Sequence, residues 1–228
     1  MQIWQLPLWL AATNAYVLAP DGPGGECILI DAPPDPGAIL GLLDEHDLRL
    51  VALLSTHGHS DHVGGVSTVV RRVHADHGTS VAVHIHHDDL HMLLDPVGTS
   101  GAFGRYLEQE GLDLRPPEHI EGLDDGQVVR GAGLAFTAIH TPGHTEGSVC
   151  LRLDVDGEAP MLFSGDHLFA GSIGRTDLPG GSYEALVASM REKVLPLDDG
   201  VAVLPGHGGR TTIGRERRTN PFILEMLA

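Results

Sequence analysis

The residues with the clearest chemical potential crowd into one run, Ser55-Thr56-His57-Gly58-His59-Ser60-Asp61-His62. Three imidazoles and one carboxylate stand within six positions, and such nitrogen and oxygen donors suit Zn²⁺ and related divalent ions. The run follows Leu50–Leu54, an apolar stretch that reads as a buried strand, so its donors leave a rigid element. Gly58 is expected to permit a sharp turn that sends His57 and His59 to one side. Asp61 and His62 come from the turn that follows and can reach a second point nearby.

Three later segments repeat this design of a strand, a glycine and one donor. Thr141-Pro142-Gly143-His144-Thr145 follows the strand-like Leu134–Ile139, and Ser164-Gly165-Asp166 follows Met161–Phe163. Leu204-Pro205-Gly206-His207-Gly208 follows Val201–Val203. Each alone is an ordinary capped strand end; four such ends in one chain point to a shared metal site.

In this order, the HxHxDH run and the Thr-Pro-Gly-His, Ser-Gly-Asp and Pro-Gly-His-Gly segments resemble the metallo-β-lactamase superfamily. The stretch Gly171-Ser172-Ile173-Gly174-Arg175-Thr176-Asp177-Leu178-Pro179-Gly180-Gly181 is similar to the small glyoxalase II-like hydrolases. So is the ending Thr211-Thr212-Ile213-Gly214-Arg215-Glu216-Arg217-Arg218-Thr219-Asn220-Pro221-Phe222. The resemblance implies an α/β fold, the αββα sandwich of two mixed β-sheets packed face to face with helices on the outer faces. It implies that His57, His59 and His144 hold one metal, that Asp61, His62 and His207 hold a second, and that Asp166 bridges them. Asp61 and Asp166 are the residues it would make catalytic. Zinc is the metal expected first, with iron or a mixed zinc and iron pair as alternatives. Two departures from the family pattern stand near the site: His167 follows the bridging Asp, and Gly209 replaces a common Pro. His167 and Arg175 are the candidate substrate-binding residues, although Arg175 has a ready structural partner in Asp177.

Two divalent ions held together generate a nucleophile at neutral pH and polarise a carbonyl. A thiol has a pKa near 8.5 and leaves as thiolate with little help, whereas an amide nitrogen needs a positioned acid. No extra acid is evident, which fits a thioester better than an amide; with that, the resemblance to the glyoxalase II-like hydrolases implies a small S-(2-hydroxyacyl) thiol ester, cleaved to free thiol and hydroxy acid. A mononuclear iron persulfide dioxygenase is the enzyme alternative, because two His and one carboxylate suffice for such a centre. A non-catalytic metal-binding module fits less well, since structural sites are closed by protein ligands. A secreted β-lactamase also fits less well, because Asp166 stands where those enzymes commonly carry a residue such as Cys. Which thiol is used is not legible.

The remaining elements are those that must position these donors. Strands are expected at Ala15–Leu18, Cys27–Ile30, Val81–Ile85, Gln127–Arg130 and Ser148–Leu153. Helices are expected at Pro36–Glu45, Gly64–His74, Tyr183–Val194 with Ser182 as N-cap, and Thr219–Leu227. His86–Glu118 reads as an irregular helical connection. At its start, His84, His86, His87 and His91 form a second histidine run, read as structural because no acidic partner from a distant strand is evident. His46, His74, His77, His119 and His140 are read as structural too. No linker or repeat appears, so residues 1–228 are expected to form one domain.

With 42% apolar and 20% charged residues, the chain has an ordinary globular balance. Its formal net charge of −17 leaves no basic stripe for a phosphate backbone and disfavours anionic membranes. Cys27 and Cys150 lie among apolar residues and are expected to be free and buried. The first twenty residues lack a positive start and a cleavage site, so a cytoplasmic location is expected. The oligomeric state is not legible.

Overall fold

The computed structural model describes residues 1–227. The first sheet holds β1 (Gln2–Leu8), β2 (Thr13–Ala19), β3 (Glu26–Ile30), β4 (Arg49–Leu54), β5 (Ala82–Ile85) and β6 (Ile120–Gly122), in that spatial order. Its first three strands are antiparallel neighbours; β3 to β6 run parallel. The second sheet draws on β7 (Val128–Gly131), β8 (Leu134–His140), β9 (Val149–Leu153), β10 (Met161–Gly165), β13 (Ala202–Pro205) and β14 (Thr211–Thr212). Its order is β14-β13-β10-β9-β8-β7. A small hairpin of β11 (Leu168–Phe169) and β12 (Ser172–Ile173) stands between them in sequence.

Three apolar layers fill the spaces, and the pleat decides which residue enters which. From β2, Ala15, Val17 and Ala19 face outward, where α1 (Pro36–Glu45) adds Ile39 and Leu43. There α3 (Val66–His77), which follows the single turn α2 (Ser60–Val63), adds Val69 and Val73. From the same strand Tyr16 and Leu18 face inward, meeting Phe136, Leu151, Phe163 and Leu204 of the second sheet. Beyond that sheet, Leu162 and Val203 pack on Leu186, Met190 and Ile223. Both faces of the central strands are covered, which is why they read as continuous apolar runs. Burying one such large apolar side chain contributes roughly 1.5–3 kcal/mol. This is the αββα arrangement the sequence implies.

The stretch after β5 is irregular as expected: a 3₁₀ turn at His87–Asp89, then α4 (Leu90–Leu94), α5 (Pro96–Thr99), another 3₁₀ turn, and α6 (Gly104–Gln109). Ser182 caps α7 (Tyr183–Ser189) by accepting from the Ala185 N–H, and the chain continues through a wider turn to Val194. Several elements differ from the sequence expectation, among them the short strands β6, β11, β12 and β14, which are too brief to show a pattern. β1 was not foreseen; it is an edge strand whose Pro7 and polar alternation hide it. The chain end forms two helices, α8 (Ile213–Thr219) and α9 (Pro221–Leu227), where one was expected from Thr219. Pro221 disfavours a helical Asn220 and itself opens the second helix. Both cysteines are free and buried, and burial pushes each thiol up to about 12.

Candidate metal centre

Four strand ends meet at one edge of the sandwich. β10 and β13 are parallel neighbours paired at Phe163 with Leu204 and Gly165 with Pro205, so Asp166 and His207 emerge side by side. The first sheet is tied to them at the same edge. The Asn14 N–H donates to the Gly206 carbonyl at 2.7 Å, and Tyr16 Oη donates to the Pro205 carbonyl at 2.8 Å. The Val149 N–H donates to the Thr56 carbonyl at 2.8 Å, bringing the end of β4 against the start of β9.

The ring nitrogens of His57, His59 and His144 gather within 4.8 Å of one another, and the donor atoms of Asp61, His62 and His207 do the same. The Asp166 carboxylate stands between the two sets. Its Oδ1 lies 3.3 Å from His62 Nε2, and its Oδ2 lies 3.3 Å from His207 Nε2 and 3.6 Å from His144 Nε2. All seven sequence-predicted donors therefore come together.

Four of the imidazoles are turned the same way by a hydrogen bond at Nδ1. His62 donates to Asp31 Oδ2 at 2.8 Å, His144 to the Arg175 carbonyl at 2.8 Å, and His207 to the Ala11 carbonyl at 3.1 Å. Thr56 Oγ1 gives its own proton to Asp31 and so accepts from His57 Nδ1 at 3.1 Å. Each ring thereby presents Nε2 inward, the outer-contact pattern typical of metal-binding histidines. His57 Nε2, His62 Nε2 and Asp166 Oδ1 are buried with no hydrogen-bond partner. Buried polar atoms are otherwise costly to leave unpaired, and this converging set of nitrogens and carboxylate oxygens fits divalent ions.

Electrostatics divides the two sets. Burial, and then the neighbouring imidazoles, hold His57 well below the ordinary histidine range and bring His59 down to about 4. Burial opposes protonation of His62 as well, but Asp61, Asp166 and Asp31 outweigh it and hold that ring well above its ordinary value. His207 is likewise pushed up to about 9, against burial, by the Asp166 and Asp61 carboxylates that face its Nε2 at 3.3 and 3.4 Å. Burial would raise Asp166, yet the His62 and His207 rings beside it keep it well below the carboxylate range.

Two buried carboxylates that sequence reasoning missed organise the centre. Asp31, at the end of β3 with a left-handed φ of 57°, accepts from the Thr56 N–H, Thr56 Oγ1 and His62 Nδ1, each at 2.8 Å. Asp89 accepts from the Gly58 and Gly147 N–H groups at 2.8 Å and from Thr145 Oγ1 at 2.7 Å. It thereby ties the first histidine run to the turn that bears His144. Their one sequence signal is an acidic residue directly after an apolar strand or in a helix start. The role of Gly58 also differs from expectation. It has no left-handed φ; a Cβ there would lie 2.7 Å from Met92 Cβ and 2.9 Å from the Asp89 carbonyl, so close approach demands the glycine. Gly206 is required similarly, since a Cβ would meet Asp166 Oδ1 and His62.

Arg175 lies on the surface with its guanidinium paired to Asp177 at 2.7 and 2.8 Å, while its carbonyl orients His144. His167 is buried, and neither ring nitrogen has a partner. In the second histidine run, His87 Nδ1 lies 3.5 Å from Asp124 Oδ1, in the turn after β6, and the His86 ring stacks on His140 at the end of β8.

Residues 8–207 match the Metallo-beta-lactamase superfamily. The chain belongs to that superfamily. It is 40% identical to an uncharacterized protein of Mycobacterium tuberculosis over 98% of both chains. It is 34% identical to the hydroxyacylglutathione hydrolase GloC of Haemophilus influenzae, over 95% of this chain and 90% of that one. Among solved structures, the BLEG-1 B3 metallo-beta-lactamase superposes with a TM-score of 0.83 at 37% identity, covering 97% of this chain and 99% of that chain. TTHA1623, solved in a di-iron-bound form, gives 0.75 at 35% identity, with 96% and 99% covered. The chain is a metallo-hydrolase of this superfamily. Among the described residues, no helix is long and apolar enough to cross a membrane.

Proposed function

We propose that the protein hydrolyses a small S-(2-hydroxyacyl) thiol ester, with two divalent ions held by His57, His59 and His144 and by Asp61, His62 and His207. The observation that carries this reading is the Asp166 carboxylate, within 3.6 Å of histidines from both sets. When bound, the ions supply a water-derived nucleophile at neutral pH and polarise the acyl carbonyl. Zinc is the first expectation, and the likeness to a di-iron-bound structure supports iron as the alternative.

The chain's own residues favour a thiolate leaving group. Asp31, Asp61, Asp89 and Asp166 are all engaged by neighbouring donors. His167, brought down to about 3 by burial and then by His144, is an uncharged imidazole at neutral pH and so no effective acid. With His62 and His207 committed as metal donors, none of the described residues around the centre is therefore placed to protonate a departing amide nitrogen, and a thiolate needs no such acid. Water adds to the acyl carbon, the carbon–sulfur bond breaks, and the products are hydroxy acid and thiol. Thr13 Oγ1 donates to Asp61 Oδ2 at 2.8 Å and fixes that carboxylate's direction. The likeness to GloC supports the 2-hydroxyacyl class.

The likeness to BLEG-1 favours a second reading, β-lactam ring opening. A panel of 2-hydroxyacyl thioesters, assayed for thiol release beside β-lactams assayed for ring opening, separates the two. Thiol release that disappears in Asp166→Ala supports the thioesterase. Ring opening without thiol release overturns it, as does oxygen uptake with a thiol persulfide in place of thiol release.

A further inference from the structure

We propose that Glu216 and Asn220 are positioning residues for the metal centre, which they serve by latching the β11–β12 hairpin in place beside it. Two stretches, 171–181 and 211–222, supply none of the seven donors, yet they meet each other. Glu216 Oε2 accepts from the Gly171 N–H at 2.7 Å, and Asn220 Nδ2 donates to the Ser172 carbonyl at 3.0 Å. Asn220 Nδ2 also donates to Glu216 Oε2 at 2.9 Å, and Thr211 Oγ1 donates to the other carboxylate oxygen. Both side chains are fully buried. A buried carboxylate is costly unless its oxygens are hydrogen-bonded, and here three neutral donors converge on it.

The hairpin needs such an anchor. It has only two residue pairs, Leu168 with Ile173 and Phe169 with Ser172, and an isolated two-stranded hairpin is marginal in water. Its base is fixed, since Leu168 enters the third apolar layer and its carbonyl accepts from Ser164 Oγ at 2.8 Å. Its tip is exposed at Gly171, which has a left-handed φ of 74°, and there the latch takes hold. What the hairpin borders is the centre itself. The Phe169 ring stands edge-on to the His207 ring with centroids 6.0 Å apart. Just after β12, Gly174 lies so close that a Cβ would meet the Asp166 carbonyl and His144 Cβ. The next carbonyl, that of Arg175, accepts from His144 Nδ1 at 2.8 Å. Releasing the tip therefore loosens the outer support of His144 and His207, one donor from each set, and such outer contacts govern metal affinity.

Hydrogen-bond chemistry separates this latch from plain packing. Glutamine at 216 keeps an oxygen for the Gly171 and Asn220 donors, and its amide can donate to Thr211 Oγ1, which accepts as well as donates. Alanine leaves all three donors empty. Asn220 has a second duty as N-cap of α9, its Oδ1 accepting from the Phe222 N–H at 3.1 Å. Serine can take over that cap, but it is too short to reach the Ser172 carbonyl as well.

The test loads the full chain with zinc, competes it against a graded chelator, and reads retained metal by elemental analysis beside the melting temperature. Glu216→Ala and Asn220→Ser should bind zinc about tenfold more weakly than wild type, while Glu216→Gln stays near wild type. Arg217→Ala is the control on the same helix. Its guanidinium bonds Asp199 and the Leu195 and Leu197 carbonyls instead of the hairpin, so its loss should lower the melting temperature and leave zinc affinity unchanged. If Glu216→Ala fails to fold, Asn220→Ser carries the test, because the helix cap is kept. Wild-type zinc affinity in the latch variants, with only the melting temperature lowered, overturns the proposal. So does an equal loss of zinc in Arg217→Ala, or a loss in Glu216→Gln as large as in Glu216→Ala. The proposal rests on the seven donors binding metal, whatever the substrate. No zinc bound by wild type would overturn the centre and the latch together, whereas zinc bound alike by wild type and the latch variants overturns the latch alone.

Discussion

Two regions border the metal centre, and they are built on opposite principles. On one side, buried strand ends carry the donors, and Asp31 and Asp89 lock them through six hydrogen bonds of 2.7–2.8 Å. On the other side lies an apolar rim made of a tight turn and short helices. The Trp9–Ala12 turn lends its Ala11 carbonyl to His207, Phe103 meets Trp9 edge-on, and Leu10, Phe103 and Tyr106 are exposed. Rigid, low-dielectric surroundings suit fixed charge and ligand geometry, whereas exposed loop residues can change without cost to the fold. Chemistry is expected from the buried side and substrate choice from the rim, so mutations on the two sides should separate accordingly.

The largest effect is expected for Asp166→Ala. One carboxylate serves both donor sets and offsets the charge of both ions, so metal content and turnover should fall together, turnover by more than about 100-fold. Elemental analysis beside the thioester assay checks this. If metal content holds while activity falls, Asp166 acts on substrate instead.

Asp31→Ala comes next. It releases the Nδ1 side of His62 and both Thr56 donors without touching a metal-facing atom, and metal affinity or activity should drop about 10–100-fold. Asp31→Asn keeps one acceptor and a residue tolerant of left-handed φ, so it should retain more of both. Indistinguishable losses in the two variants would show that the backbone conformation, not the hydrogen bonds, matters.

Asp89→Ala leaves the Gly58 and Gly147 N–H groups buried and unpaired, at about 1–3 kcal/mol each. Thermal unfolding should reveal that loss even in metal-free protein. A melting temperature equal to wild type would mean that water replaces the carboxylate.

Smallest are the changes on the rim and at the surface residue Arg175. Phe103→Ala and Arg175→Ala should raise KM with kcat and metal content unchanged, the mark of lost uniform binding. If Arg175→Ala leaves both constants at wild-type values and lowers only the melting temperature, the Asp177 pair is its whole role. The thiol contacts then lie with Phe103 and its neighbours.

This division also marks what the sequence could reveal. His57, His59, Asp61 and His62 are legible because they are contiguous, and His144, Asp166 and His207 because each ends an apolar run beside glycine. Asp31 and Asp89 are not. Their partners lie 25 to 58 positions away, so nothing local distinguishes them from surface acids. The same limit hid the partners of His86, since Asp124 and His140 reach it only through the packing of the sheets. The central strands announced themselves by being buried on both faces, whereas β1, half-exposed at the sheet edge, did not.

The most direct test of the account is a count of tightly bound metal, since its central claim is that Asp166 divides the donors into two binding positions. The protein, reconstituted with zinc or iron and freed of loosely held ions by gel filtration, should retain two equivalents per chain. The same preparation carrying Asp166→Ala should not. One retained equivalent after reconstitution with excess metal would contradict the two-position centre and shift the reading toward mononuclear iron chemistry.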